Sequence, residues 1–156
     1  MNQAMKLSLK TAPFRAADGR VVFGTTTPLT AKGRARILIA DDDSLLRQNV
    51  SRLLALDPGL EVVGEAQNGG DAVALVRSLR PDFVIMDVRM PRMDGIEATF
   101  LITEEWPETL VVGFATSYEH NIKAKMLKAG AVDLLYKDES VTRLVPMLKR
   151  LWAERG

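Results

Sequence analysis

The sequence predicts an α/β fold in which a five-stranded parallel sheet lies between two layers of helices. Five short apolar runs alternate along the 156-residue chain with five stretches whose apolar residues recur with a helical period. The runs show little polar alternation, which is typical of strands covered on both faces and therefore of a parallel sheet. Right-handed crossovers between such strands give a doubly wound sheet, for which we expect the strand order 2-1-3-4-5.

The predicted strands are short and rich in Val, Ile, Leu and Phe, as buried strands usually are. Gly113 interrupts the fourth strand, and a glycine at such a position permits the close approach of a helix. In chain order the predicted strands are ILIA (37–40), LEVVGEA (60–66), FVIM (83–86), TLVVGFA (109–115) and AVDLLY (131–136).

The first two helices are predicted from apolar residues that share one face and from residues typical of helix ends. Asp43 or Ser44 can cap the first helix, and Pro58-Gly59 ends it. Asn68 can cap the second helix, and Pro81 ends it. The apolar face comprises Leu45, Leu46, Val50, Leu53 and Leu54 in the first helix, and Ala72, Val73, Leu75, Val76 and Leu79 in the second.

Similar signals bound the third and fourth helices. Asp94 and Glu97 have the spacing of a capping box and predict the start of a helix over 95–106. A helix near 120–129 should close on Gly130, because glycine favours the left-handed conformation of a helix C-cap.

The fifth helix is predicted to follow Ser140, which can act as its cap. Pro146 should delay the start of this helix or kink it, because proline lacks an N–H group and clashes with the preceding turn. The apolar face of the helix comprises Val141, Leu144, Val145, Leu148, Leu151 and Trp152.

The composition excludes several classes of site. The chain has no cysteine, so disulfides and thiolate-ligated metals are excluded, and its single histidine, His120, excludes a multi-histidine metal centre. No apolar stretch approaches the roughly 20 residues of a membrane span, and no signal peptide is visible. We therefore expect a cytoplasmic protein.

Residues 1–35 are predicted to form a basic, flexible leader, and residues 36–153 the folded domain. Residues 1–36 contain seven Lys or Arg and one acid, a charge of +6, whereas the remainder contains 14 basic and 19 acidic residues, a charge of −5. The leader lacks sustained periodicity, which indicates a loosely attached arm. An arm that contacts nucleic acid or an acidic partner, an extension without function and a transit peptide share this composition. No output domain is expected, since the last helix extends to the end of the chain.

Polar residues follow four of the five predicted strands. The first strand ends in Asp41-Asp42-Asp43, the third in Asp87, the fourth in Thr116-Ser117 and the fifth in Lys137. Ligands of doubly wound folds bind beyond the carboxyl ends of the strands, and the order 2-1-3-4-5 makes the first and third strands neighbours. We therefore expect their acids to converge.

Such a cluster of carboxylates is repulsive unless a cation or a proton neutralises it. An all-oxygen site without His or Cys suits Mg²⁺ or Mn²⁺. Lys137 and the Thr116 hydroxyl suit the oxygens of a phosphate group. The pattern predicts metal-assisted phosphoryl chemistry in which Asp87 is the nucleophile and forms an aspartyl phosphate.

Four motifs, ILIADDDSLLRQNV, IMDVRMPRMDGIEA, FATSYEHN and AGAVDLLYKDES, together resemble the receiver domain of two-component response regulators. The resemblance covers residues 36 to about 153 and implies a flavodoxin-like fold and a phosphoprotein of a phosphorelay signal transduction system. The LLYKD end, with Asp rather than Pro after the lysine, is most similar to the branch in which a helix-turn-helix DNA-binding domain usually follows. That branch implies regulation of transcription.

The resemblance also implies a set of metal ligands. Asp42 and Asp87 would bind Mg²⁺ through their carboxylates, and Arg89 through its backbone carbonyl. Asp41 would act mainly through a metal-bound water.

The remaining implied roles concern the phosphoryl group. Asp87 would accept it from a sensor histidine kinase, Lys137 would pair with its oxygens, and Thr116 would bind them and move the loop after the fourth strand. Arg89 and Tyr118 occupy positions that tune the lifetime of the phosphate. The resemblance implies a signalling domain and not an enzyme, one that at most assists its own phosphorylation and dephosphorylation.

The resemblance implies that the switching face comprises the fourth helix, the fifth strand and the fifth helix, through which such receivers form homodimers. Receivers generally carry an aromatic residue three places before the lysine; here that position is Leu134, and the aromatic residue is Tyr136. Direct DNA binding by this chain and a membrane partner are not expected. The output would come from a domain or partner outside the chain.

Two other functions share parts of this pattern. A receiver-like interaction module that is not phosphorylated in use stays an alternative. A phosphatase of the haloacid dehalogenase type requires a second acid two residues after the nucleophile, where this sequence has Arg89.

Overall fold

The computed structural model describes residues 14–15, 21–22, 33–116 and 118–155. The chain divides into two compact units after Gly33. In the first unit, Phe14–Arg15 and Val21–Val22 pair as short antiparallel strands. Most of the predicted leader lies outside the described residues, so its flexibility and the boundary at residue 35 stay predictions.

The second unit contains the predicted parallel sheet. Its strands are β1 (Ala35–Ala40), β2 (Leu60–Ala66), β3 (Phe83–Asp87), β4 (Leu110–Ala115) and β5 (Asp133–Tyr136). Neighbouring strands pair in parallel in the order β2-β1-β3-β4-β5, which confirms the predicted fold class. β1 begins before the predicted apolar run because Ala35 and Arg36 already pair with β2.

Five helices connect the strands or follow them. They are α1 (Ser44–Ala55), α2 (Gly69–Leu79), α3 (Gly95–Glu105), α4 (Ile122–Ala129) and α5 (Ser140–Glu154). Three predicted N-caps are present, since the side chains of Asp43, Asn68 and Asp94 accept hydrogen bonds from N–H groups of the first turns. Gly130 ends α4 with a φ of 116°, as predicted for a C-cap.

The start of α5 differs from the prediction. Ser140 is the first helical residue and not the cap, because a 3-10 turn over Lys137–Glu139 leads directly into the helix. Pro146 lies inside α5 and does not delay its start. Its missing N–H leaves the carbonyl of Thr142 without a helical donor. Both residues are exposed, so water can serve that carbonyl.

Alternate residues of the strands face two separate cores, one on each side of the sheet. In β3, Val84 and Met86 pack with residues of α2, α3 and α4, whereas Phe83 and Ile85 pack with residues of α1 and α5. Leu45 and Val141 were expected in the core but are 63% and 75% exposed. Each is the second residue of its helix and therefore lies in the first turn.

Gly113 has the predicted role of admitting a helix close to the sheet. A Cβ atom at this position would lie 3.1 Å from Cε of Met126 in α4 and 3.1 Å from Cδ1 of Leu134 in β5. A larger residue in β4 would therefore push against both side chains.

Candidate functional site

Three carboxylates converge at the carboxyl edge of the sheet. Asp41 directly follows β1, and Asp87 is the last residue of the neighbouring strand β3; they are 1% and 3% exposed. Asp42 is exposed beside them. One carboxylate oxygen of each of the three residues lies within 4.8 Å of the others. The structure therefore confirms that the acids at the ends of the first and third strands converge.

Lys137 reaches this cluster from the end of β5. Its Nζ atom lies 2.6 Å from Oδ2 of Asp41 and 3.3 Å from Oδ1 of Asp87, and its side chain is only 15% exposed. The ammonium group lies 5.7 Å from the centre of the Phe114 ring in β4, the strand between β5 and β3. One buried cation thus contacts two buried anions.

The buried charges perturb one another. Burial, and then repulsion by Asp41, raise the pKa of Asp87 from its ordinary value of 3.8 to about 7, although Lys137 opposes the shift. Burial alone would lower the pKa of Lys137, but its hydrogen bond to Asp41 and the charges of Asp87 and Asp41 raise it above its ordinary value. Lys137 therefore stays protonated. The ionised form of Asp87 is destabilised, and an added cation would stabilise it.

The loop that carries the first acids is held by bonds that the sequence reasoning missed. The backbone N–H of Asp43 donates to Oδ1 of Asp41 over 2.9 Å. Arg47 Nη1 in α1 donates to the backbone carbonyl of Asp41 over 2.6 Å, and Arg47 Nε lies 3.5 Å from Oε1 of Glu65 in β2. Two positions in the sequence could have indicated these bonds: Arg47 lies one turn after the cap of α1, and Glu65 lies at the end of a strand.

A small pocket opens directly over Asp87. Its lining comprises Asp87, Val88, Arg89, Ala115, Thr116, Glu119 and Ile122. Thr116, the predicted phosphate-binding hydroxyl, is exposed at the end of β4 and lines this pocket together with Asp87. Ser117, which follows it, lies outside the described residues. The pocket thus brings the predicted acceptor and the predicted switch threonine together.

Arg89 and Glu119 form an ion pair beside this pocket. The backbone N–H of Arg89 also lies 3.4 Å from Oδ1 of Asp87. Glu119 was not identified from the sequence, because nothing in its local pattern separates it from an ordinary loop acid.

Tyr118 turns away from the pocket, toward β5. Its ring stacks on that of Tyr136 with centroids 4.0 Å apart, and its hydroxyl lies 3.3 Å from Oδ2 of Asp138. Local desolvation, and then the charge of Asp138 and its hydrogen bond, raise the pKa of Tyr118, although the residue is 65% exposed. Leu134, at the position where receivers usually carry an aromatic residue, is buried in the core. The aromatic contact of this chain therefore joins Tyr118 to Tyr136.

Close backbone packing sets the geometry of the acceptor. A Cβ atom at Gly95 would collide with the carbonyl oxygen of Asp87 and lie 2.9 Å from Cα of Val88. The N–H of Gly95 donates to the carbonyl of Val88 over 2.8 Å. The start of α3 is therefore packed directly against the end of β3, which requires a residue without a side chain at this position.

The acid cluster has the chemistry of a site for a hard divalent cation. It offers only oxygen ligands, and three carboxylates share the single positive charge of Lys137, which contacts Asp41 and Asp87. Carboxylate oxygens that are close together and incompletely neutralised suit Mg²⁺. The residues present therefore fit such an ion.

Comparison with known proteins places this fold and site in a family. The family model for the response regulator receiver domain matches residues 37–149. The chain belongs to this receiver family. The resemblance of the four sequence motifs is thereby confirmed, and phosphorylation by histidine kinases is typical of this family.

Relatives of this receiver include regulators of transcription. The chain is 39% identical over 126 residues to transcriptional regulatory protein PdtaR of Mycobacterium tuberculosis, covering 81% of this chain and 60% of PdtaR. It is 35% identical over 118 residues to response regulator GacA of Pseudomonas viridiflava, covering 76% of this chain and 55% of GacA. A LuxR-family response regulator from Aurantimonas sp. SI85-9A1 has a TM-score of 0.74 and 32% identity, covering 78% of this chain and 87% of that structure.

The chain spans about half the length of several curated relatives that it matches, GacA and DegU among them. Other relatives are protein-glutamate methylesterases, of which the receiver is only a part. The receiver is therefore a signalling domain that also occurs within enzymes. Among the described residues, no helix is both long and apolar enough to cross a membrane.

Proposed function

We propose that this receiver accepts a phosphoryl group on Asp87 from a sensor histidine kinase. The observation that carries the proposal is the buried Asp87 carboxylate at the end of β3, with Lys137 Nζ 3.3 Å away and a pocket open to it. Burial restricts Asp87 to one direction of access, and a fixed ammonium group beside it favours an incoming anion.

In the proposed step an oxygen of the Asp87 carboxylate attacks the phosphorus of a phosphohistidine. A P–O bond forms, the P–N bond breaks, and the released imidazole takes up a proton from solvent. Lys137 stays protonated and pairs with the phosphoryl oxygens, and the Thr116 hydroxyl donates a hydrogen bond to them. The contact with Thr116 would draw in the loop after β4, which is the proposed switch.

Mg²⁺, or Mn²⁺ in its place, would be held by the carboxylates of Asp42 and Asp87 and the backbone carbonyl of Arg89, with Asp41 acting through a bound water. When bound, the ion neutralises the acid cluster and the phosphoryl oxygens. The side chains of Arg89 and Tyr118 are proposed to tune the lifetime of the phosphate. The ion pair of Arg89 with Glu119 supports such a role, since it lies at the pocket over Asp87.

The output is proposed to pass through the face formed by α4, β5 and α5, which also serves for homodimerisation. Relatives described as a transcriptional regulatory protein and as a LuxR-family regulator support control of transcription, through an output domain or partner outside this sequence. We propose that the receiver acts in the cytoplasm, without membrane or direct DNA contacts. It is not an enzyme in its own right beyond assisting its own phosphorylation and dephosphorylation.

Intact mass after incubation with a small-molecule phosphodonor, with and without Mg²⁺, tests the acceptor. We expect one added phosphoryl group in the wild type and none in Asp87→Asn. Asp71→Asn, an exposed acid on α2, is the matched control and should be phosphorylated normally. Lys137→Ala should bind Mg²⁺ but fail to signal; equal loss of Mg²⁺ affinity would make Lys137 structural.

The alternative function, an interaction module that is not phosphorylated in use, makes the opposite prediction. It would be favoured if no phosphoryl group were added to the folded wild type under any condition, including incubation with Mg²⁺. Addition to Asp87→Asn as well as to the wild type would place the acceptor elsewhere.

A further inference from the structure

A groove between α3 and α4 lies outside the phosphoacceptor site. It is open to solvent and has a volume of about 500 Å³. Its lining comprises Asp94, Ile96, Glu97, Phe100, Lys125, Lys128 and Ala129. The Phe100 ring is 51% exposed, and Leu101 beside it is 38% exposed. Large apolar side chains are thus exposed to solvent along one wall.

The outer side of α3 exposes large apolar side chains among charged ones. Ala98 and Ile102 of α3 are fully buried against the sheet, whereas Phe100 and Leu101 on the outer side are exposed to solvent. Glu97, Glu104 and Glu105 are exposed on the same helix. An exposed apolar patch that is rimmed by polar residues is typical of an interaction site.

The two walls of the groove carry opposite charges. Asp94 and Glu97 lie on the α3 side, and Lys125 and Lys128 on the α4 side. Within residues 33–116 and 118–155, none of these four side chains forms an ion pair. Charges of both signs are therefore available to a partner on either side of an apolar strip.

We propose that a second copy of this chain docks in the groove, with Phe100 at the centre of the interface. A two-fold axis that runs along the groove places the α3 wall of each copy against the α4 wall of the other. Lys125 and Lys128 then face Asp94 and Glu97 of the second copy. The same axis packs each Phe100 ring against the α4 wall of the other copy, where it is covered from water.

The groove fits its own copy better than it fits a partner of a single charge. An acidic helix would pair with the α4 lysines but oppose the α3 acids, and a basic helix would do the reverse. A second copy satisfies both walls at once. The groove is lined by α4 but not by β5 or α5, and docking in it needs no phosphorylation, so the proposal stands independently of the proposed function.

Sedimentation velocity of the full, unphosphorylated chain over a range of concentrations tests the proposal. We expect a monomer–dimer equilibrium in the wild type. Phe100→Ser should raise the dimer dissociation constant at least about thirtyfold, as expected for a central aromatic contact. Leu56→Ser removes an exposed apolar residue at the C-terminal end of α1 instead and should leave the equilibrium unchanged.

A charge exchange tests the two-fold pairing itself. The double variant Lys125→Glu/Lys128→Glu makes both walls acidic, and Glu97→Lys makes the groove mainly basic. Each variant alone should be monomeric, because two grooves of like charge repel each other. Their equimolar mixture should restore the dimer, because each acidic groove then meets a basic one. Thermal unfolding of each variant checks that it is folded.

Three outcomes would overturn the proposal. A wild type that is monomeric at the highest concentration shows that the groove does not bind its own copy. A dimer that survives Phe100→Ser and both charge variants uses another surface. A mixture of the two charge variants that stays monomeric refutes the two-fold pairing of the walls.

Discussion

Replacing Asp87 by asparagine is expected to stabilise the protein when divalent cations are absent, and to do so more at pH 8 than at pH 5. The Asp87 carboxylate is buried beside Asp41, and burial followed by that repulsion raises its pKa to about 7. Asparagine has nearly the same shape and can still accept a hydrogen bond from Lys137, but it carries no charge. The variant therefore removes a buried, repelled anion without leaving a cavity.

The magnitude follows from the pKa of Asp87. This group ionises near 3.8 in the unfolded chain and near 7 in the folded protein. Between these values the folded state binds more protons, so the free energy of unfolding falls as the pH rises and levels off above 7. A tenfold change in an ionisation constant corresponds to about 1.4 kcal/mol, so the penalty is about 2 kcal/mol at pH 5 and about 4 kcal/mol at pH 8.

Urea denaturation in the presence of a chelator, at pH 5 and pH 8, measures this effect. The advantage of Asp87→Asn over the wild type should grow by about 2 kcal/mol between the two values. Glu105→Gln, the same change of a carboxylate to an amide at an exposed position of α3, should stay within about 0.5 kcal/mol of the wild type at both. An advantage of Asp87→Asn that does not change with pH would refute the reasoning.

Three further predictions concern the metal site and the backbone. Mg²⁺ at a hundred times its dissociation constant should stabilise the wild type by about 2.7 kcal/mol more than a matched monovalent salt does. Thermal unfolding measures this gain, and Asp87→Asn should lose most of it. Gly95→Ala should lower the free energy of unfolding by about 3 kcal/mol in urea denaturation, because its Cβ collides with the backbone of Asp87. Gly70→Ala is the control: its Cβ comes no closer than 3.4 Å to another atom, so the change should be neutral or slightly stabilising. Pro146→Ala should stabilise α5 by about 1 to 3 kcal/mol, since it restores the donor to the Thr142 carbonyl; unchanged stability would show that water already satisfies this group.

Most of the secondary structure could be read from local signals. The caps at Asp43, Asn68 and Asp94 and the glycine at 130 are governed by residues within one helical turn, and the structure confirms them. Ser140 was mistaken for a cap because the preceding 3-10 turn has no distinct sequence signal. Helical periodicity likewise could not separate Leu45 from its buried neighbours, since it gives the direction of a side chain but not where the sheet ends.

The order of the elements and the polar residues that end the strands follow from the amino-acid sequence alone. In a parallel sheet every carboxyl end lies at the same edge, so the convergence of Asp41 and Asp87 follows once β1 and β3 are neighbours. That inference needs only topology, and topology is restricted by the hand of the crossovers.

Which side chains contact one another depends on tertiary packing. Lys137 reaches Asp87 from two strands away and Asp41 from three strands away. Glu119 pairs with Arg89 from another loop, and the groove between α3 and α4 depends on how the two helices pack. These contacts depend on sheet twist, helix position and rotamer choice, which result from the packing of the whole core and not from any local stretch. For this reason the residue types of the site could be predicted from the sequence, whereas the contacts between their side chains and the groove between α3 and α4 could not.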